Sequence, residues 1–196
     1  MTSASDRLEQ LETIIYPKVL ELIRLLRESK KRIVLAESCT GGLVAATLTS
    51  VPGASDVFCG SMVVYRNDTK TKWLGLDPEM LADEKIGPVS PQASEALAQQ
   101  VLSITPEADV ALAVTGHLGP NAPRALEGKV FLAGLSRDEY FSKNLASGQK
   151  PLQKAKESNL ESSSFFHESL AENRRFMQSL ALWETLCFGV DLLKEV

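Results

Sequence analysis

The stretch AESCTGG, residues 36–42, gathers a serine, a cysteine and a threonine between two apolar segments, residues 33–35 and 43–46. The first segment reads as a strand and the second as a helix. Ser38, Cys39 and Thr40 therefore sit where a strand hands over to a helix N-terminus. Such a place offers unpaired backbone N–H groups and the positive end of a helix dipole. It suits a phosphate, a carboxylate or a developing oxyanion, and Gly41 and Gly42 let a ligand approach the backbone closely. Ser38 is a candidate nucleophile if a base activates it. Ser and Thr are also ordinary helix caps, and this stretch alone leaves both readings open. Cys39 is a competing nucleophile, because a thiol near a helix N-terminus can ionise more easily. Its base would be one of two histidines, His117 or His167, and His117 lies in a glycine-rich loop. A buried, inert cysteine is the plainer reading. A different base stands in VYRNDTK, where Tyr65 and Lys70 flank Asn67. A lysine beside a desolvated pocket can act as a base, and a tyrosine can relay a proton or hold the attacking hydroxyl. The plain alternative is a surface lysine on a helix and an aromatic at a strand end.

The elements that must position these residues follow from periodicity and breakers. Residues 6–28 carry Leu8, Leu11, Ile15, Val19, Leu22 and Leu26 at helical steps, and Pro17 leads to the expectation of a kink or of two abutting helices near Tyr16. RIVLAE reads as a buried strand, residues 40–50 as a helix, and VFCGSMVVYR as a second strand. Asn67 is placed to cap a short helix holding Lys70 and Trp73. Pro78 opens another short helix, and Ser90-Pro91 opens a clear one to about residue 104. ADVALAVTG reads as a strand buried on both faces, GHLGPNAP as a loop and KVFLAGL as a further strand. Residues 139–164 are polar and read as a long loop or insertion within a single domain spanning 1–196. A last helix is expected from about 168 to 194. Helices interleaved with apolar strands indicate a layered α/β/α domain with a mostly parallel or mixed sheet. Ser38, Tyr65, Thr115 and the loop 116–120 all follow strands, so they converge if those strands are neighbours. Glu37 is expected to have a structural or orienting role.

The 196 residues, 44% hydrophobic and 23% charged, have the composition of a globular protein. A net charge of −4 without a dominant basic cluster disfavours a nucleic-acid surface. The apolar runs are too short to suggest a membrane span, and the polar N-terminus has no signal-peptide core. Three widely spaced cysteines show neither zinc spacing nor a disulfide framework, which favours a reducing cytoplasm.

From Ala36 to Lys70 the chain closely resembles the CinA C-terminal domain family, which includes stand-alone nicotinamide mononucleotide (NMN) deamidases. ESCTGG followed by Y-x-N-x-x-K, then IGPVS and ADVALAVTGHLGP, keep the family order over roughly residues 10–137. The resemblance implies an α/β layered fold and hydrolysis of NMN to nicotinic acid mononucleotide and ammonia, with no metal or other cofactor. It implies Ser38 as nucleophile, with Lys70 and Tyr65 in support. Substrate would contact Thr40, Gly41, Gly42, Asn67, Thr115, Gly116, His117 and Arg174, with N–H groups near Gly41 and Gly42 holding the oxyanion. The implied partner is a pyridine mononucleotide, and the implied assembly a homo-oligomer. The sequence departs from the family's S-G-I-A-G-P loop, reading Thr115-Gly-His117-Leu118-Gly-Pro120. The K-P-V-G-T-V segment becomes Ala125-Leu126-Glu127-Gly128-Lys129-Val130, with Arg124 just before it, and the arginine of F-x-G-D-R is absent around Phe166–Leu170. Arg174 and Arg175 match a later basic pair. Two further readings therefore stand beside the amidase: a catalytically degenerate nucleotide-binding or oligomeric scaffold, and a Cys39–His117 thiol enzyme.

Overall fold

The computed structural model describes residues 4–119, 126–137, 153–159 and 174–195. Helix α1, Ala4–Glu28, buries Leu11, Ile15, Val19, Leu22, Ile23 and Leu26 along one face. It runs unbroken through Pro17, contrary to the expected break into two helices. Tyr16 and Pro17 lie on its solvent side. Water there can take up the carbonyl that proline leaves without a donor.

Strand β1, Ile33–Glu37, is wholly buried. It is followed by α2, Leu43–Thr49, and by β2, Phe58–Val63. Helices α3, Asn67–Leu74, α4, Pro78–Ala82, and α5, Pro91–Ser103, lead to β3, Val110–Gly116. Then come β4, Lys129–Ser136, β5, Gln153–Asn159, and helix α6, Arg174–Glu195. The cap of α3 differs from expectation. Arg66 occupies the cap position, with its N–H on Thr69 Oγ1 at 3.2 Å, and Asn67 is the first helical residue. Residues 153–159 form an edge strand where a loop was expected. Their apolar content is too low for a strand signal, and pairing with β4 supplies what their own pattern does not. The expected start of the last helix at 168, and Pro120, Arg124, Phe166 and His167, lie outside the described residues.

The sheet order is β2-β1-β3-β4-β5. The pairs β1–β2 and β1–β3 are parallel, while β3–β4 and β4–β5 are antiparallel, so the sheet is mixed. The chain steps outward from β1 to β2, then back across β1 to β3. Right-handed crossovers then place the connecting helices on opposite faces. Accordingly α2 packs with α1 and α6 over one face, around Leu22, Leu48, Leu112 and Phe176. On the other face α5 packs through Leu97, Val101 and Leu102, joined by Leu74 of α3 and Leu81 of α4. Each such leucine withdrawn from water contributes about 2 kcal/mol.

Helix α6 is long and apolar enough to cross a bilayer by length and composition, which the short apolar runs did not suggest. It is a core helix, with 72% of the apolar stretch buried against its neighbours. Gly189 lets it come close, since a Cβ there would lie 2.7 Å from Leu112 Cδ1 of β3.

Candidate active site

The carboxyl ends of β1, β2 and β3 share one edge of the sheet, and the reversal of direction opens a crevice there. Ser38 is the first residue past β1, its N–H held by the Val114 carbonyl at 3.0 Å. On the far side, α3 sends Lys70 back into the crevice. The lysine is only 2% exposed. Its Nζ lies 3.3 Å from Ser38 Oγ and donates also to the Tyr65 carbonyl at 3.4 Å. Burial pushes the Lys70 ammonium below the ordinary lysine range, favouring the free amine.

Glu37 ends β1, 1% exposed, with its carboxylate turned toward the start of α2. It accepts from Thr40 Oγ1 at 2.8 Å, and from the N–H groups of Gly42 and Val44 at 3.1 Å and of Ala45 at 2.9 Å. Ser61 Oγ of β2 adds a fifth bond at 3.0 Å. The orienting role expected for Glu37 is visible in these contacts, which tie the serine's turn to both flanking elements.

The same contacts overturn the placing of the oxyanion at Gly41 and Gly42. The Gly42 N–H is spent on Glu37, and the Gly41 N–H on the Ser38 carbonyl at 3.1 Å. Thr40, Gly41 and Gly42 line a neighbouring groove, and the serine's cleft is walled by other residues. The Thr40 N–H carries no hydrogen bond among the described residues, and the Cys39 N–H lies against its own thiol.

The cleft has a volume of about 240 Å³. Ser38, Lys70 and Cys39 line it with Tyr65 and Asn67 on one side, Gly116 and His117 on the other, and Arg174 at α6. Tyr65 is exposed, and its phenol accepts from Arg174 Nη2 at 2.9 Å; the expected phenol contact with Ser38 or Lys70 is not made. Arg174 also donates to the Gly119 carbonyl at 3.0 Å, so the guanidinium spans the cleft from wall to wall. Thr115 is fully buried with its hydroxyl on the Pro88 carbonyl at 3.0 Å. It is a positioning residue for the IGPVS loop, not a ligand contact as expected. His117 is half-buried, and burial together with the Arg174 charge lowers its pKa, so it is neutral at neutral pH. Burial pushes the Cys39 thiol up to about 12. A thiol that stays protonated is a poor nucleophile, which removes the basis of the Cys39–His117 reading. Among the described residues no group of three or more metal-ligating side chains is gathered.

Pro88, Val89 and Leu118 of the cleft wall escaped the choice of site residues. Gln178 did too, and its Nε2 donates to the Cys39 carbonyl at 3.2 Å. Its spacing of four from Arg174 places both on one helix face and was the available signal.

Comparison with known proteins agrees with this architecture. The CinA C-terminal domain profile matches residues 17–168. A CinA-like protein of Thermotoga neapolitana is 41% identical over 113 residues, covering 57% of this chain and 27% of that protein. A putative competence-damage inducible protein of Caldicellulosiruptor bescii is 46% identical over 123 residues, covering 62% of this chain and 29% of that protein. The chain thus spans under a third of the length of these relatives. Among solved structures, competence damage-inducible protein A from Klebsiella pneumoniae superposes with a TM-score of 0.74 at 23% identity, over 92% of this chain and 97% of that one. The competence/damage inducible protein of Agrobacterium tumefaciens gives 0.65 at 27% identity, over 88% and 95%. The profile covers most of the sequence, and the strand order, crevice and buried serine–lysine pair are built from the stretch it matches: the chain belongs to the CinA C-terminal domain family.

Proposed function

We propose that the protein is a serine amidohydrolase that converts NMN and water to nicotinic acid mononucleotide and ammonia. The observation that carries this reading is the buried Lys70 Nζ at 3.3 Å from Ser38 Oγ. A lysine whose pKa burial lowers is a base better matched to a serine hydroxyl. Lys70 takes the Ser38 proton as Oγ attacks the carboxamide carbon. The N–H groups of Cys39 and Thr40, the two residues after the nucleophile, receive the oxyanion, the residue after the nucleophile being a common donor in such sites. Lys70 then gives its proton to the departing nitrogen, and ammonia leaves. Water, deprotonated by Lys70, attacks the acyl-enzyme and releases the carboxylate, and the proton returns to Ser38. The cleft, about 240 Å³, suits the pyridine carboxamide end, and Arg174 at its mouth offers a planar cation to the phosphate. Tyr65 holds that arginine in place through its phenol.

Pure protein incubated with NMN is expected to release ammonia, and Ser38→Ala to abolish the release. Equal release from both would sink the proposal. A nucleotide-binding scaffold is the second reading, favoured by His117 in the cleft wall where the family's loop has a smaller residue. It requires NMN to bind equally well to wild type and Lys70→Met with turnover in neither.

A further inference from the structure

We propose that His117 and Arg174 form a two-residue clasp for a phosphomonoester, in which the arginine is the permanent cation and the imidazole takes up a proton as the phosphate dianion binds. The proposal rests on the reading of the cleft as a site for a pyridine mononucleotide, and it names how that site tells the nucleotide from its nucleoside. His117 stands where the loop pattern S-G-I-A-G-P has isoleucine, which cannot carry a proton. Its backbone is fixed by β4. The His117 N–H donates to the Lys129 carbonyl at 3.0 Å, and its carbonyl accepts from the Gly128 N–H at 2.9 Å. Two residues on, the Gly119 carbonyl accepts from Arg174 Nη1 at 3.0 Å. The loop is thus tied to β4 at one end and to the guanidinium at the other, and both side chains line the serine's cleft. The imidazole makes no hydrogen bond among the described residues, so its nitrogens are available to a ligand. A guanidinium has five N–H donors, and Arg174 keeps some after bonding Gly119 and the Tyr65 phenol.

The surrounding charges keep the ring neutral until an anion arrives. Burial disfavours its charged form, and Arg174 of α6 repels a second cation. Lys70 of α3 is shifted toward the free amine, the Cys39 thiol stays protonated, and the Tyr65 phenol is taken by Arg174. On the β4 side, Lys129 is paired with Glu157 at 2.7 Å, and Glu127, the bridge partner of His117, is exposed. Among the described residues the cleft wall has no carboxylate to hold a proton on the imidazole. A phosphate dianion against Arg174 cancels the repulsion and adds an attraction. The ring then draws a proton from solvent and offers the phosphate a charged N–H donor. A nucleoside brings no such charge and leaves the ring neutral.

The test follows the two histidines of the full chain by NMR as pH is varied, with His117→Gln to assign the signals. Ser38→Ala serves as the background, so that NMN is not consumed. NMN is expected to raise the His117 pKa by about one unit, a tenfold coupling, and nicotinamide riboside to leave it unmoved. By linkage, His117→Gln in the same background should weaken NMN binding about fivefold at about pH 6 and hardly at all at about pH 8, by calorimetry. Comparing the two proteins at each pH cancels the phosphate's own titration near about pH 6. The proposal is overturned if NMN does not bind, if the His117 pKa is unmoved at saturation, if the riboside moves it equally, or if the loss in His117→Gln is the same at both pH values. Ammonia release by wild type with an unmoved His117 would sink the clasp and leave the amidase standing. A raised His117 pKa without ammonia release would do the reverse.

Discussion

At the scale of single residues, Lys70 decides most. Its side chain is buried against its own charge, so it lowers stability wherever it is protonated. The folded chain binds fewer protons than the unfolded one between the depressed pKa and the ordinary lysine value of about 10.4, so stability rises with pH across that interval. Lys70→Met is therefore expected to melt no lower than wild type at neutral pH, by calorimetry, while losing about 10²- to 10⁴-fold in ammonia release. The wild-type rate should climb with pH through a pKa below that of an exposed lysine. A flat profile would show that Lys70 is not the base. The pairing of Ser38 with Lys70 came from the family resemblance, since the pattern places each after a strand but does not show that the two strands are neighbours, as the structure has them. The wrong oxyanion donors came from one unreadable fact, the direction of the Glu37 side chain. Placed at the end of a buried strand, it was free to face either way. It turned to α2 and took the Gly42 donor, while the Gly41 N–H closed on the Ser38 carbonyl.

At the scale of elements, α6 carries Arg174, the anion anchor of the proposed reaction. Its periodicity announced a helix but not its degree of enclosure, since residues on nearly every side of it are buried. The close approach at Gly189 seats α6 against β3 and α1. Gly189→Ala would drive a methyl into Leu112 and Leu22. A loss of about 1–3 kcal/mol is expected from overpacking, read as a lower denaturant midpoint, with NMN turnover falling alongside. Arg174→Ala, by contrast, should raise KM for NMN far more than it lowers kcat, if the guanidinium holds the phosphate. An unchanged KM would detach the arginine from substrate. The strand β5 was illegible for the opposite reason. A polar edge strand takes its conformation from the neighbour it pairs with, and only Ala155 interrupts its run of polar residues.

At the scale of the whole molecule, the reversal of strand order fixes where chemistry can occur, and ion pairs outside it fix how the layers hold. Glu21 of α1 meets Lys18 at 2.7 Å and Lys194 of α6 at 2.9 Å. These bonds lower its carboxyl to about 2. The stabilisation is whole above the unfolded value of about 4.3 and is lost as pH falls through the folded one. Glu21→Gln should therefore melt below wild type at neutral pH, with the difference vanishing near the folded value. A gap that persists there would mean the pair contributes little.

The bridge from Arg174 to Tyr65 joins residues 109 positions apart, whereas Ser38 and Lys70 are only 32 apart. Closing the longer loop is a late event in ordering the chain. Fraying of the first turn of α6 alone would release Arg174 from Tyr65 and Gly119 while leaving the Ser38–Lys70 contact in place. On the proposed reading, recognition is thus more fragile than reactivity, and a copy frayed at that turn falls idle before it falls apart.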